Sequence, residues 1–266
     1  MITFLSDYGL EGSFVGMCHG VMSRICPDIR VIDVTHDIPR HDILAGALAF
    51  RDALPYLPVG VHLAVVDPGV GGERRAVAVR TEDDQFVVGP DNGILSPGVS
   101  ALGGAKQAFD IGKSSYRLQP VSATFHGRDI FAPVTAHLAA GLRPEALGSP
   151  VELETLVMLR VPMATVLDGA ISARVLGIDR FGNVVTDASP IDLERAGIRY
   201  GDNIKLATAA RHTHLMKCVR TFGDVEEGER LVFVDAQGHV AVAVNRGSAA
   251  DHLGVTLHSE IEIGRG

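Results

Sequence analysis

Short apolar runs and helical periods alternate along the first part of the chain. Ile2-Thr3-Phe4-Leu5 predicts a strand that ends at the polar pair Ser6-Asp7. Phe14, Val15, Cys18, Val21, Met22 and Ile25 then recur at helical spacing, and Cys26-Pro27 stops the pattern. Val31 to Val34 predicts a second strand, ending at Thr35-His36. Ile43, Ala47, Phe50 and Leu54 mark a second helix before Pro55, and Val61 to Val66 a third strand reaching Asp67-Pro68. Strands apolar on both faces and separated by helices require a mostly parallel, helix-covered sheet, so residues 1–150 read as an α/β domain.

Beyond about Pro150 the period changes. Ala170–Ile178, Val184–Thr186, Ile204–Leu206, His214–Val219, Leu231–Val234 and Val240–Val244 are short and rich in β-branched residues. Turn signals separate them, among them Phe181-Gly182-Asn183, Gly201-Asp202-Asn203 and Gln237-Gly238. Only Pro190–Ala196 keeps a helical pattern. Residues 151–266 therefore read as a second, all-β domain.

Composition narrows the function classes. With 46% hydrophobic and 21% charged residues in 266, the chain is not a disordered one. A net charge of −8 argues against binding a nucleic-acid backbone, which needs a basic face. No stretch approaches the roughly 18 apolar residues of a membrane helix. The N-terminus lacks the basic start of a signal peptide, so a cytoplasmic setting is expected. Cys18, Cys26 and Cys218 form no paired motif and fit reduced, buried thiols. Among eleven histidines the nearest pairs in sequence are His36 with His41 and His212 with His214; no metal site is expected from them.

Ligands of an open α/β sheet collect beyond the carboxyl ends of its strands. Asp7, Thr35-His36 and Asp67 fall there, although Asp and Thr also serve as helix caps. Asp67 opens a glycine-dense loop, Asp67-Pro68-Gly69-Val70-Gly71-Gly72, that runs into Arg74 and Arg75. Such a loop lets backbone approach a ligand closely, yet it lacks the Gly-Lys-Ser/Thr of a phosphate loop. Gly89-Pro90-Asp91-Asn92-Gly93 reads first as a turn. In Thr124-Phe125-His126-Gly127-Arg128-Asp129 either Asp129 caps a helix starting near Ile130, or His126 acts chemically.

Together these segments resemble the S-adenosylmethionine hydroxide adenosyltransferases, relatives of the fluorinase and chlorinase. The resemblance runs through Phe4–Gly9, Val31–His36, Val66–Gly71, Gly89–Gly93 and Thr124–Asp129. It continues in Ile178-Asp179-Arg180-Phe181-Gly182-Asn183 and in Val242–Ala250, in order along nearly the whole chain. It implies an α/β domain followed by a β-barrel, a homotrimer with active sites between subunits, and no cofactor beyond the substrate itself. The implied reaction is attack of water or hydroxide on C5′ of S-adenosyl-L-methionine, giving adenosine and L-methionine.

By position, Asp67, Arg74 and His126 resemble the family's triad around the attacking water. Asp7 resembles the carboxylate that holds the ribose hydroxyls, and Asp179 the contact to the methionine ammonium. Phe181, Asn183 and Phe222 resemble the adenine pocket, with Asn245 beside them in the last motif. The halogenating relatives carry Tyr where Asp67 falls and Tyr-Ser where His126-Gly127 falls, so the hydrolytic type is implied. His41 replaces a Trp of the fluorinase, and Ala236-Gln237 replaces a Ser-Arg pair at the methionine carboxylate. That last replacement keeps a second reading open, an adenosine- or S-adenosylmethionine-binding protein without turnover. A halogenase is a third reading, which the anionic Asp67 opposes.

Overall fold

Alternate side chains of the first strands enter two different cores, and this sorts the elements around them. A computed structural model describes residues 1–209 and 212–266. Its first strands are β1 (Ile2–Ser6), β2 (Val31–Thr35), β3 (Val61–Val65), β4 (Ala76–Thr81), β5 (Phe86–Pro90), β6 (Ala105–Asp110) and β7 (Ser149–Pro150). The helices among them are α1 (Phe14–Ile25), α2 (Ile43–Ala53), α3 (Ser96–Ala101) and α4 (Ala132–Ala139). Ile2, Phe4, Leu63 and Val65 pack with Val15, Cys18 and Met22 of α1 and with Val134 and Leu138 of α4. Leu5, Ala64 and Val66 pack instead with Ala47 and Phe50 of α2 and Val99 of α3. Strand period two thus feeds two separate apolar layers.

The strand order is β2-β1-β3-β5-β4-β6-β7. The pairings β1–β2, β1–β3 and β3–β5 are parallel, whereas β4–β5, β4–β6 and β6–β7 are antiparallel. The sheet is therefore mixed, which corrects the mostly parallel sheet expected from the sequence. Glu82 to Gln85 is the reason. This polar turn is far too short for a parallel crossover, so β5 folds straight back on β4 as a hairpin.

The parallel part carries the functional geometry. From β1 the chain moves to β2 on one side, then returns past β1 to β3 on the other. The crevice between β1 and β3 is the topological switch point, where α/β sheets bind ligands. Asp7 follows β1 and Asp67 closely follows β3.

The chain divides into two compact units, Met1–Arg160 and Val161–Gly266. Residues 151–160 stay with the first unit because they are tied to it. Arg75 Nη1 donates to Thr155 Oγ1 at 2.8 Å, Asp91 Oδ1 accepts Val157 N–H at 2.8 Å, and Ser96 Oγ accepts Leu159 N–H at 2.9 Å. Leu153, Leu156 and Leu159 pack on the second apolar layer.

The second unit holds β8 (Thr165–Leu167), β9 (Ala170–Ile178), β10 (Val184–Thr186), β11 (Asn203–Thr208), β12 (Thr213–Cys218), β13 (Arg230–Val234), β14 (Val240–Val244) and β15 (Glu260–Arg265). Short helices α5 (Pro190–Arg195) and α6 (Ala249–Leu253) interrupt them. The order β10-β14-β13-β12-β11-β15-β9 closes on itself through a β9–β10 pairing, giving a seven-stranded barrel with β8 added beside β9. Closure leaves no free edge among those seven strands. Ile171, Ala173 and Val175 point into the barrel core, and the intervening Ser172 and Arg174 are exposed. The β12–β13 pairing is parallel, so residues 219–229 must cross over, and they carry a short turn at Phe222–Asp224.

Candidate active site

The loop after β3 wraps its own arginine back onto the strand end. Arg74 Nε donates to Asp67 Oδ1 at 2.9 Å and to Oδ2 at 3.1 Å, and Nη2 also contacts Oδ2. The Asp67 side chain is only 7% exposed and that of Arg74 12%, so this is a largely desolvated, fork-like ion pair. The Arg74 guanidinium lies 5.3 Å from the ring centroid of Phe131, which is fully buried. Gly71 adopts φ +77°, and a Cβ there would stand 2.3 Å from the Ala123 carbonyl oxygen. Glycine at 71 thus lets the loop close against the segment that bears His126.

Arg74 Nη2 also lies 2.8 Å from His126 Nδ1. Arginine can only donate, so Nδ1 accepts and the ring proton resides on Nε2. Partial burial lowers the His126 pKa below its ordinary value, and the Arg74 charge lowers it further. The imidazole is therefore neutral at pH 7, with an N–H available on its outer nitrogen. The segment enters α4 through a π-helical turn, Gly127–Phe131, with Asp129 inside it. Asp129 pairs with Arg128 and accepts Ser122 N–H at 2.8 Å, so it braces the turn.

Tyr8 is a functional candidate to which sequence reasoning gave no role. Its hydroxyl fills the space of the missing Gly127 side chain, since a Cβ there would lie 2.0 Å from the Tyr8 oxygen. The ring meets Phe125 edge-on at 5.7 Å and Phe14 at 6.0 Å. Burial raises the phenol pKa well above its usual value, and the Cys18, Asp7 and Asp67 charges raise it further. The signal was the juxtaposition of a tyrosine beside Asp7 and a glycine beside His126.

Asp7 Oδ2 accepts the backbone N–H of His41 at 3.0 Å. His41 has φ +66°, a left-handed conformation uncommon for a non-glycine residue, and its ring is exposed. Within the Gly89–Gly93 turn, Asp91 pairs with Arg75 at 2.6 Å and Asn92 Nδ2 donates to Val66 O at 2.8 Å. This turn buttresses the end of β3. It also borders an apolar cavity of about 200 Å³ beneath Leu153–Met158.

In the second unit the sequence candidates converge at one end of the barrel. Phe181, Asn183, Phe222 and Asn245 line a single cavity of about 550 Å³ with Val244, Arg246 and Gly247. Asp179 Oδ1 accepts N–H groups of Phe181 and Asn183 at 2.8 and 2.9 Å, and its Oδ2 accepts Asn183 Nδ2 at 2.7 Å. These bonds shape the turn that presents Phe181, 78% exposed, to solvent. Gly182, at φ +81°, lets that turn press on Ser248, where a Cβ would meet Oγ at 2.3 Å. Asn245 Nδ2 donates to Val225 O at 2.9 Å, and the Phe222 ring lies 5.0 Å from that of Phe233. Ala236 and Gln237 are exposed on a tight turn in which Asp235 Oδ1 accepts Gln237 N–H at 2.9 Å.

Residues 2–148 match the SAM hydroxide adenosyltransferase N-terminal domain, and residues 173–262 match the C-terminal domain of the same name. The chain belongs to the SAM hydroxide adenosyltransferase family. It is 48% identical over 265 residues to the (R)-S-adenosyl-L-methionine hydrolase of Salinispora tropica, covering 100% of this chain and 98% of that one. The protein of the same name from Thermus thermophilus is 42% identical, with 96% and 95% covered. A fluorinase of Actinopolyspora mzabensis is 30% identical over 276 residues, with 94% and 92% covered. A crystal structure of an uncharacterized conserved protein from Thermotoga maritima superposes with a TM-score of 0.92 at 35% identity over the whole of both chains. Both domains of a SAM hydroxide adenosyltransferase are thus present in this chain.

Proposed function

We propose that this protein is an S-adenosyl-L-methionine hydrolase that forms adenosine and L-methionine. The observation that carries the reading is the desolvated Asp67–Arg74–His126 network beside the β1–β3 switch point. Water attacks C5′ in line with the C5′–S bond. As the C–O bond forms, the C–S electron pair returns to sulfur and methionine leaves as a neutral thioether. No acid is needed for that leaving group, and the reaction calls for no cofactor. The protein must orient one water, favour its hydroxide character and accept its proton. His126 Nε2–H can hold the water oxygen, Arg74 stabilises developing negative charge, and Asp67 is the proton acceptor. A positioned base contributes typically about 10²–10⁴-fold.

In the same reading Asp7 accepts hydrogen bonds from the ribose 2′- and 3′-hydroxyls, a role suited to a group that only accepts when ionised. Phe181 and Phe222 offer flat faces to adenine, Asn183 and Asn245 its polar edge, and Asp179 a charge for the methionine ammonium. Gln237 or backbone N–H groups take the methionine carboxylate, at lower affinity, in place of the arginine found in the halogenating relatives. Asp67 repels halide, which favours water over chloride or fluoride. A cytoplasmic homotrimer with sites between subunits is part of the proposal and rests on the family resemblance. Among the described residues no helix is long and apolar enough to cross a membrane.

Incubating the purified protein with S-adenosyl-L-methionine and separating the products tests the reaction. Equal amounts of adenosine and L-methionine are expected. Tight adenosine binding without turnover would establish the binding-protein reading instead, and light scattering at a trimer mass checks the assembly.

A further inference from the structure

His19 on α1, Asp33 on β2 and His36 just beyond β2 meet at one spot, although sixteen residues lie between the outermost two. The one ligating atom that each offers lies within 4.8 Å of the other two. His19 Nε2 is 2.9 Å from Asp33 Oδ1, and His36 Nε2 is 3.0 Å from the same oxygen. In the sequence His36 stands nearest to His41, and no metal site is expected from that pair; folding brings His36 instead to His19 and Asp33. None of these three residues has a part in the reaction proposed above.

The state of His36 is informative. Its side chain is 1% exposed, and Nε2 is buried with no hydrogen-bond partner despite the nearby carboxylate. The Asp33 oxygen therefore sits off the axis along which Nε2 would donate or accept. A buried ring nitrogen left in this way is costly unless something occupies its lone-pair direction. The opposite nitrogen, Nδ1, is 2.7 Å from Ser6 Oγ, and Ser6 Oγ also accepts Tyr8 N–H at 3.3 Å. A histidine anchored through one nitrogen to a second group, with the other nitrogen free, is the arrangement that outer partners give to metal-binding imidazoles.

We propose that His19, Asp33 and His36 form a site for a first-row transition-metal dication of the zinc type. Two imidazole nitrogens and one carboxylate oxygen select borderline metals over Mg²⁺ and Ca²⁺, which want oxygen ligands. Bonds of about 2.0–2.2 Å to a shared ion require the three ligand atoms to rearrange around it, since both imidazoles now crowd one Asp33 oxygen at 2.9 and 3.0 Å. Phe4 forms the floor, its ring centroid 4.6 Å from that of His36 and 6.2 Å from that of His19. Asp33 is 40% and His19 33% exposed, which leaves an entry path and open coordination positions for water. The site adjoins the substrate side of the sheet: His36 O accepts Gly9 N–H at 2.8 Å, so His36 holds both ends of the Ser6–Gly9 turn that carries Asp7.

The full chain, stripped with a chelator, is titrated with Co²⁺ and Zn²⁺. A visible ligand-field absorption of four- or five-coordinate cobalt is expected, saturating at one ion per chain and displaced by Zn²⁺. Calorimetry then reads Zn²⁺ affinity in His19→Ala and Asp33→Asn, each expected to be weaker by at least about 10-fold, with Ser6→Ala weaker by about 10–100-fold. Alanine is the best helix former and Asn is isosteric with Asp, so these variants keep the fold, which circular dichroism verifies. Zn²⁺ should raise Tm of the parent and leave that of His19→Ala unchanged, because only a bound ion stabilises. Zn²⁺ affinity equal in the parent, His19→Ala and Asp33→Asn would overturn the proposal. Colourless cobalt titrations would overturn it as well, as would displacement of Co²⁺ by equimolar Mg²⁺.

Discussion

The two candidate regions of this molecule are built on opposite principles. Around Asp67 the charges are paired, desolvated and fixed: one arginine engages a carboxylate and an imidazole and lies against a buried phenylalanine. Around Phe181 the turn is rigid but the ring it carries is 78% exposed, and the cavity beside it is lined by aromatic and amide groups with one exposed arginine, Arg246. A region that stabilises charge development must be organised before the substrate arrives, because reorganisation would consume the gain. A region that grips a flat heterocycle can leave its surface bare until binding covers it. In the proposed function the barrel-end region is the binding surface, and the Asp67 region is where bonds change.

The contrast predicts a gradient of mutational effects. Arg74→Ala should be the most damaging change, reducing turnover by at least ~10²-fold. It also strands the buried Asp67 carboxylate, an event that costs about 3–5 kcal/mol of stability. Thermal melting beside steady-state kinetics reads both losses, and near-normal values in either would remove Arg74 from the centre of the account. Asp67→Ala should lose at least ~10²-fold in kcat with a smaller change in KM.

Gly127→Ala probes packing at the same site. Its methyl group must displace the Tyr8 hydroxyl, and overpacking of this kind costs about 1–3 kcal/mol. Tyr8→Phe in the same chain should restore part of the lost Tm, since it removes the closest atom and leaves two ring carbons at 3.0 and 3.2 Å. Failure of the double variant to recover would mean that the hydroxyl is not what excludes a side chain at 127.

Phe181→Ala should invert the pattern seen at Arg74. Losing a stacking face raises KM by an amount equivalent to about 1–3 kcal/mol, while stability stays within about 0.5 kcal/mol because the ring is exposed. A drop in Tm without a change in KM would place Phe181 in the scaffold instead.

The smallest effect is a pH dependence. The folded His126 pKa lies below its ordinary value, so the unfolded chain binds this proton more readily than the folded one. Its contribution to stability is complete above about pH 6.5, the unfolded value, and declines as pH falls toward the folded value. Turnover should follow the same direction, flat above pH 6.5 with an acid limb below it. A limb above pH 7 would show that His126 is charged in the resting protein.

Much of this was legible in the residues. Asp7 and Asp67 were found as polar ends of apolar strands, and their places at the switch point follow from the β2-β1-β3 order. His126 and Arg74 needed the glycine-rich loop as a clue, since Gly71 lets that loop close on Ala123. Phe181, Asn183, Phe222 and Asn245 stand on three separate turns, and only the closed barrel brings them to one cavity. The mixed sheet was hidden because the apolar runs Val77–Val79 and Val87–Val88 fit a buried strand running in either direction. Direction was encoded in the length of the Glu82–Gln85 turn alone. His19 was hidden for another reason: a single histidine on a helix has no spacing that marks it, and its partners lie on the neighbouring strand.

The most direct test of the central claim is turnover in heavy-oxygen water. Attack of water on C5′ places the label on the 5′-hydroxyl of adenosine and leaves methionine unlabelled. Unlabelled adenosine, or label in the amino-acid product, would contradict the account.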